Sequence, residues 1–349
     1  MPSDDTGNDS RPDAPPGDAQ TFVNSGVDPA TEKFLERFRL ALAALEAGDF
    51  GGARPIFGEL IEIFPADPEY LCGYYAAGWW FNREERRTLI KDGRAKGDWL
   101  MNEWEAFQSL CDQRGYTGCL AFRAAMRAVL QEAAEQYRVA FQTEGASGVD
   151  TNLLKTLAIC LIRLEDYSDA SDILLYARRR QNQGDAELHF LLGEALCSQD
   201  RDDLREKGLS FYRDACLIDP RALDPGLMAS QPAAEIFEEL YNRFEHSLDR
   251  TFEWFPAFLH ARLIGIEGLR RLSGPEIEHL QEETRRLARD LATVVEKYKD
   301  KVRATLGFYY LCLIHHFRQH AKDRGTAGEY EDRLKSVVPE VYTYYKENQ

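Results

Sequence analysis

The chain lacks the short signatures that announce an enzyme. It holds no GxGxxG after a strand pattern, no GxxxxGK, no GxSxG and no HExxH. That removes the glycine cradles for dinucleotides and phosphates, the nucleophile elbow and the zincin helix. No CxxC occurs among its seven cysteines, which removes the ordinary zinc-ribbon and thioredoxin-type readings. Alternating apolar and polar runs bounded by turn residues are missing, so no strand is expected. No apolar run reaches membrane-spanning length, and no charged start leads into an apolar stretch, so membrane insertion and a secretory signal are not expected. Positive charge is scarce: 43 Lys and Arg face 59 Asp and Glu, for a net charge of −16. Without a global positive field to collect phosphates, nucleic acid is not an expected partner.

What is present points to helices. The 349 residues are 44% hydrophobic, enough apolar material for one extended or two compact cores. Apolar residues recur at spacings of three and four almost throughout, which predicts an all-α fold. Cys72, Cys111, Cys119, Cys160, Cys197, Cys216 and Cys312 sit mostly among apolar helical residues and read as reduced core thiols, with a cytoplasmic location as the expectation. Residues 1–28, rich in Asp, Pro, Gly and Ser with Phe22 the single aromatic, read as a disordered acidic tail. A repeat domain over 29–232 and a helical region over 233–349 complete the expected organisation.

The helices repeat. From Phe34 to Pro65 an apolar-faced helix ends near Ala47, Gly48-Asp49-Phe50 turns the chain, and Ala53, Phe57 and Leu60 line a second helix. From Thr151 the pattern returns, with Leu154, Leu157, Ala158 and Leu161, a turn at Glu165-Asp166-Tyr167, then Ala170, Leu174 and Ala177. A third copy runs from Ala186 to Pro220, with Leu192-Gly193 and Leu196 on its first helix, and Tyr212 and Ala215 on its second. These three segments resemble the tetratricopeptide repeat family. The resemblance implies a superhelix of antiparallel helix pairs whose concave face grips a protein or peptide partner. Between these units the pattern is eroded: a charged segment from Arg83 to Lys96 delays one helix, and Cys119 to Phe141 reads as one long helix or a tight pair.

By the family pattern Asn152, Lys155, Ile159, Glu187, Phe190, Glu194 and Cys197 face the groove. Chaperone-binding members clamp a terminal carboxylate with Lys, Arg and Asn, whereas Glu187 and Glu194 would repel one, so that clamp is not expected here. A second surface is the aromatic patch of Tyr75, Trp79, Trp80 and Trp99, readable as a binding hot spot or as filling between helices. Beside it Arg83, Arg86, Arg87, Lys91, Arg94 and Lys96 read as a solvated loop or a dock for an acidic segment.

Cys312, His316 and His320 fall at successive four-residue steps on one helical face, a spacing that can gather ligands at zinc. Core-like residues surround them, so neither a metal nor any other cofactor is expected, and no catalytic residue is assigned. The helix from Pro275 to Tyr298 offers a self-association surface through Ile277, Leu280, Leu287, Leu291 and Val294. The resulting expectation is a non-enzymatic scaffold or adaptor. The alternatives are a metal-binding or cryptic enzyme on the Cys312 to His320 face, and a self-assembling structural subunit.

Overall fold

A computed structural model describes residues 29–144, 150–180, 184–266 and 268–348; the expected tail over 1–28 lies outside them. Sixteen α-helices and no strand occur among the described residues. The first six are α1 (Pro29–Glu46), α2 (Phe50–Ile63), α3 (Pro68–Phe81), α4 (Glu84–Leu89), α5 (Gly93–Arg114) and α6 (Leu120–Glu144). Two pairs follow, α7 (Thr151–Arg163) with α8 (Tyr167–Arg180), and α9 (Ala186–Cys197) with α10 (Asp202–Ile218). The last six are α11 (Ala233–Arg243), α12 (Leu248–Leu263), α13 (Gly274–Asp290), α14 (Glu296–His315), α15 (Arg324–Val337) and α16 (Pro339–Glu347).

Aspartate starts many of these helices. The carboxylates of Asp49, Asp67, Asp92, Asp150, Asp185 and Asp323 each accept from a backbone N–H in the first turn of the helix that follows. An anionic oxygen there satisfies an orphan donor and opposes the positive end of the helix dipole. Part of the chain's acidic excess is thus spent on helix starts. Ser273 caps α13 through a reciprocal box with Glu276, as the Ser273-to-Glu276 spacing predicts.

Two of the predicted units turn identically. In the first, Asp49 N–H donates to the Ala44 carbonyl and Gly48 N–H to that of Leu45; in the second, Asp166 N–H donates to Leu161 and Glu165 N–H to Ile162. Both are six-to-one and five-to-two closures around a left-handed residue, Gly48 at φ 72° and Glu165 at φ 64°. Glycine takes that conformation freely, whereas glutamate carries a Cβ against it. Glu165→Gly is therefore expected to raise unfolding stability by about 0.5–1 kcal/mol, measured by urea denaturation.

Neighbouring helices pack in sequence, and two helices act as hubs. The long α6 packs against α1, α3, α5 and α7, and the segment expected as one helix or a tight pair is one continuous helix from Leu120. In the carboxy-terminal half α12 packs against α10, α11, α14 and α16. Several carboxy-terminal helices are shorter than their apolar patterns predict. α12 ends at Leu263, ahead of Gly265, and α13 ends at Asp290, where a turn through Thr293 to Val295 follows. The stretch from Gly328 to Lys346 is divided at Pro339, which lacks the N–H an uninterrupted helix needs and opens α16 instead.

Candidate functional site

The residues predicted to line the groove are largely committed within the molecule. Lys155, 9% exposed, donates to Asp185 at 3.0 Å and to Glu187 at 2.5 Å, tying α7 to the start of α9. Phe190 is fully buried and packs edge-on against Tyr212. Glu194 is fully buried as well. Its carboxylate accepts from the Ala229 and Ser230 N–H groups, both at 2.9 Å, from Ser230 Oγ at 2.8 Å, from Ser198 Oγ at 3.2 Å, and from the Tyr212 hydroxyl. Burial, with Glu194 beside it, pushes the Tyr212 phenol well up. Glu194 and Phe190 offer no surface to a partner; Asn152 is exposed and Ile159 half-buried.

The aromatic patch divides. Trp80 and Trp99 are core, Trp80 stacking on Phe50 and meeting Trp99 edge-on. Trp79 lies half-buried under the Arg83 guanidinium at 3.7 Å, and Tyr75, 37% exposed, lies under Arg114 and against Tyr116. The adjacent basic run is mostly consumed internally: Arg83 pairs with Glu103, Arg87 and Lys96 share Glu132, and Arg94 pairs with Asp150.

A groove does exist, on other residues. Between α6 and α8 the backbones stand apart over α7, which packs against both. α6 and α8 meet through side chains, Arg138 to Asp169 at 3.4 Å and Phe141 edge-on to Tyr176. On one side of the Arg138–Asp169 bridge lies an apolar hollow of about 480 Å³, lined by Phe141, Leu154, Leu157, Ile173 and Tyr176. On the other lies a charged hollow of about 670 Å³, lined by Arg127, Gln131, Glu132, Glu135 and Asp166. Arg138 borders both. Compared with protein-family models, curated proteins and solved structures, the chain matches none.

Three further clusters are brought together from distant positions. Cys72, Cys111 and Cys119 gather where α3, α5 and the start of α6 meet; the adjacent Cys111 thiol and burial push Cys72 up, toward the protonated, unreactive form. Arg270 bridges Asp214 at 2.8 Å and Glu276 at 2.8 Å, joining α10 to α13. The Arg270 hydrogen bond holds the Glu276 carboxyl at about 2, below its ordinary 4.5. A depressed carboxyl contributes stability above the ordinary value and loses it as pH falls from there toward 2. Both side chains are nearly two-fifths exposed, so screening limits the term. Glu276→Gln is expected to cost about 1 kcal/mol at neutral pH and to converge on the parent by pH 2–3, by chemical denaturation across that range.

The third cluster replaces the predicted Cys312, His316 and His320 set. Cys312 is 1% exposed, and burial pushes its thiol up to about 12. The π-turn His316–His320 brings His320 to His315 instead, their rings near-parallel with centres 5.6 Å apart. Among the described residues, no group of three or more His, Cys, Asp or Glu side chains is placed to hold a metal ion. None of the described helices is long and apolar enough to cross a membrane.

Proposed function

We propose that the chain is a non-enzymatic binding module that seats an amphipathic helix of a partner protein across the surface of α6 and α8. The observation that carries this reading is the pair of surface hollows that α6, α7 and α8 form, an apolar one at Phe141, Ile173 and Tyr176 beside a charged one at Arg127, Glu135 and Asp166. A helix laid across these hollows would pack its side chains against the exposed parts of α6 and α8. Its apolar stripe would enter the Phe141, Ile173 and Tyr176 hollow, and its flanks would meet the mixed charges around Arg127, Glu135 and Asp166. The tetratricopeptide-like architecture belongs to the same proposal. It is supported by the matching turns at Gly48 and Glu165 and by the three helix pairs α1/α2, α7/α8 and α9/α10.

Ile173 and Phe141 are half-buried, so a charge at either position faces the hollow without opening the core. Helical peptides selected on the parent protein from an amphipathic library are expected to bind Ile173→Asp about ten to a hundredfold more weakly, as for a central apolar anchor. Melting temperature and circular dichroism should be unchanged. Equal affinity for parent and variant would remove the groove from the account.

A further inference from the structure

The end of α10 leaves backbone acceptors without donors. In a continuing helix the Cys216, Leu217 and Ile218 carbonyls would each accept from the N–H four residues on. Pro220 has none to give, Arg221 N–H goes to the Asp219 carboxylate at 2.9 Å, and Ala222 N–H goes to the Asp219 carbonyl at 3.2 Å. Asp219, which caps the short turn Pro220–Ala222, thus takes both donors. A fourth acceptor is freed inside α12, where Pro256 lacks the N–H that the Phe252 carbonyl would accept.

All four of these residues line one cavity of about 300 Å³ between α10, α12 and α14, at the small end of the range for small-molecule sites. Phe252, Pro256, Phe308 and Tyr309 give it apolar and aromatic walls. Glu253, half-buried, also lines it, and its carboxylate has no hydrogen-bond or ion-pair partner among the described residues. Burial raises that carboxyl above its ordinary value; Lys301 and Arg221 oppose the rise, and Asp249 and Asp300 add to it. Both cations are exposed, and Arg221 is paired with Asp249 at 3.1 Å, so solvent screens them at the rim. The Thr305 hydroxyl is already given to the Lys301 carbonyl at 3.0 Å.

The cavity is therefore rich in acceptors and short of donors. An ammonium group carries three donors and no acceptor. The negative end of the α10 dipole favours a cation there, and aromatic faces attract one. A carboxylate or phosphate would meet Glu253 as a like charge and the free carbonyls as competing lone pairs. A bare inorganic cation would leave the aromatic walls without apolar contact.

We propose that this cavity binds a primary ammonium ion carried on a compact aromatic or aliphatic body. Glu253 and the free carbonyls at the end of α10 hold the ammonium, and Phe252, Pro256 and Phe308 pack against the body. The site lies on α10, α12 and α14, apart from the α6–α8 hollows, and does not depend on them.

The test uses the full-length protein, titrated by calorimetry and saturation-transfer NMR with phenethylamine, with neutral 2-phenylethanol and anionic phenylacetate as comparators. The parent is expected to bind phenethylamine at least about tenfold more tightly than either comparator, the difference a charge-assisted hydrogen bond makes. Glu253→Gln should weaken binding by the same factor. Glutamine removes an unpaired, partly desolvated charge, so the melting temperature of that variant should not fall. Lys301→Met, which removes a like charge from the rim, should tighten binding about two- to fivefold. Nα-acetyl-lysine methylamide separates two sources of the ammonium: tighter binding of phenethylamine assigns a free amine, and tighter binding of the lysine derivative assigns a protein side chain. No binding of either amine by the parent, as when water alone fills the cavity, overturns the proposal. Equal binding of 2-phenylethanol, a preference for phenylacetate, or unchanged affinity in Glu253→Gln does the same.

Discussion

Glu194→Ala is expected to destabilise the protein by about 3–5 kcal/mol, the cost of leaving a buried polar network without its centre. The carboxylate holds the chain segment leading into α11 against α9 and α10 by accepting from two backbone N–H groups and three hydroxyls. Alanine would strand the buried Ser230 N–H without an acceptor and release that of the exposed Ala229. Glutamine is expected to cost much less, about 1 kcal/mol. Its carbonyl can replace Oε1 before the N–H groups, and its amide can donate to the Tyr212 and Ser230 hydroxyls, which rotate to accept. Urea denaturation of the two variants checks the ordering; an alanine no worse than glutamine would mean that the segment is held by other contacts.

The second large effect is steric. α9 and α10 approach at Gly193 and Gly208: a Cβ built on Gly208 would stand 2.6 Å from Cys197 Sγ, 2.8 Å from the Gly193 carbonyl and 2.9 Å from Cys197 N. Helix propensity alone favours replacing glycine, by about 1 kcal/mol for alanine. Backbone atoms cannot withdraw as a flexible side chain can, so overpacking decides the sign. Gly208→Val is expected to cost about 3 kcal/mol. Gly328→Ala, whose Cβ would meet nothing within 4 Å, is expected to gain up to about 1 kcal/mol. Thermal unfolding of both variants separates packing from propensity.

Sequence patterns reach some of these features and miss others, for identifiable reasons. Apolar periodicity places α1, α2, α7, α8, α9 and α10 well, and Asp49, Asp150 and Asp185 mark the starts of α2, α7 and α9. Glu194 was unreadable as a core residue: nothing local to Leu191–Leu196 reveals that Ser230 and Tyr212 arrive to satisfy it. Phe190, expected to face a groove, is buried as well, because spacing along one helix does not show that Tyr212 of α10 packs against it. The pairing of His315 with His320 is not given by four-residue steps, which assume a regular helix, and the π-turn changes which residues share a face. Trp80 and Trp99 entered the core, as large aromatics filling wide gaps between helices tend to do.

The most direct measurement is site-specific photocrosslinking in the native cell, with a benzophenone amino acid at Ile173, at Gln142 on the groove rim, and at Val295, which is 68% exposed on the α13–α14 connection. The expected result is adducts from positions 173 and 142 to one polypeptide, mapping to a single amphipathic helix of that partner, with none from 295. Adducts absent from 173, or equally abundant from 295, would contradict a binding groove between α6 and α8.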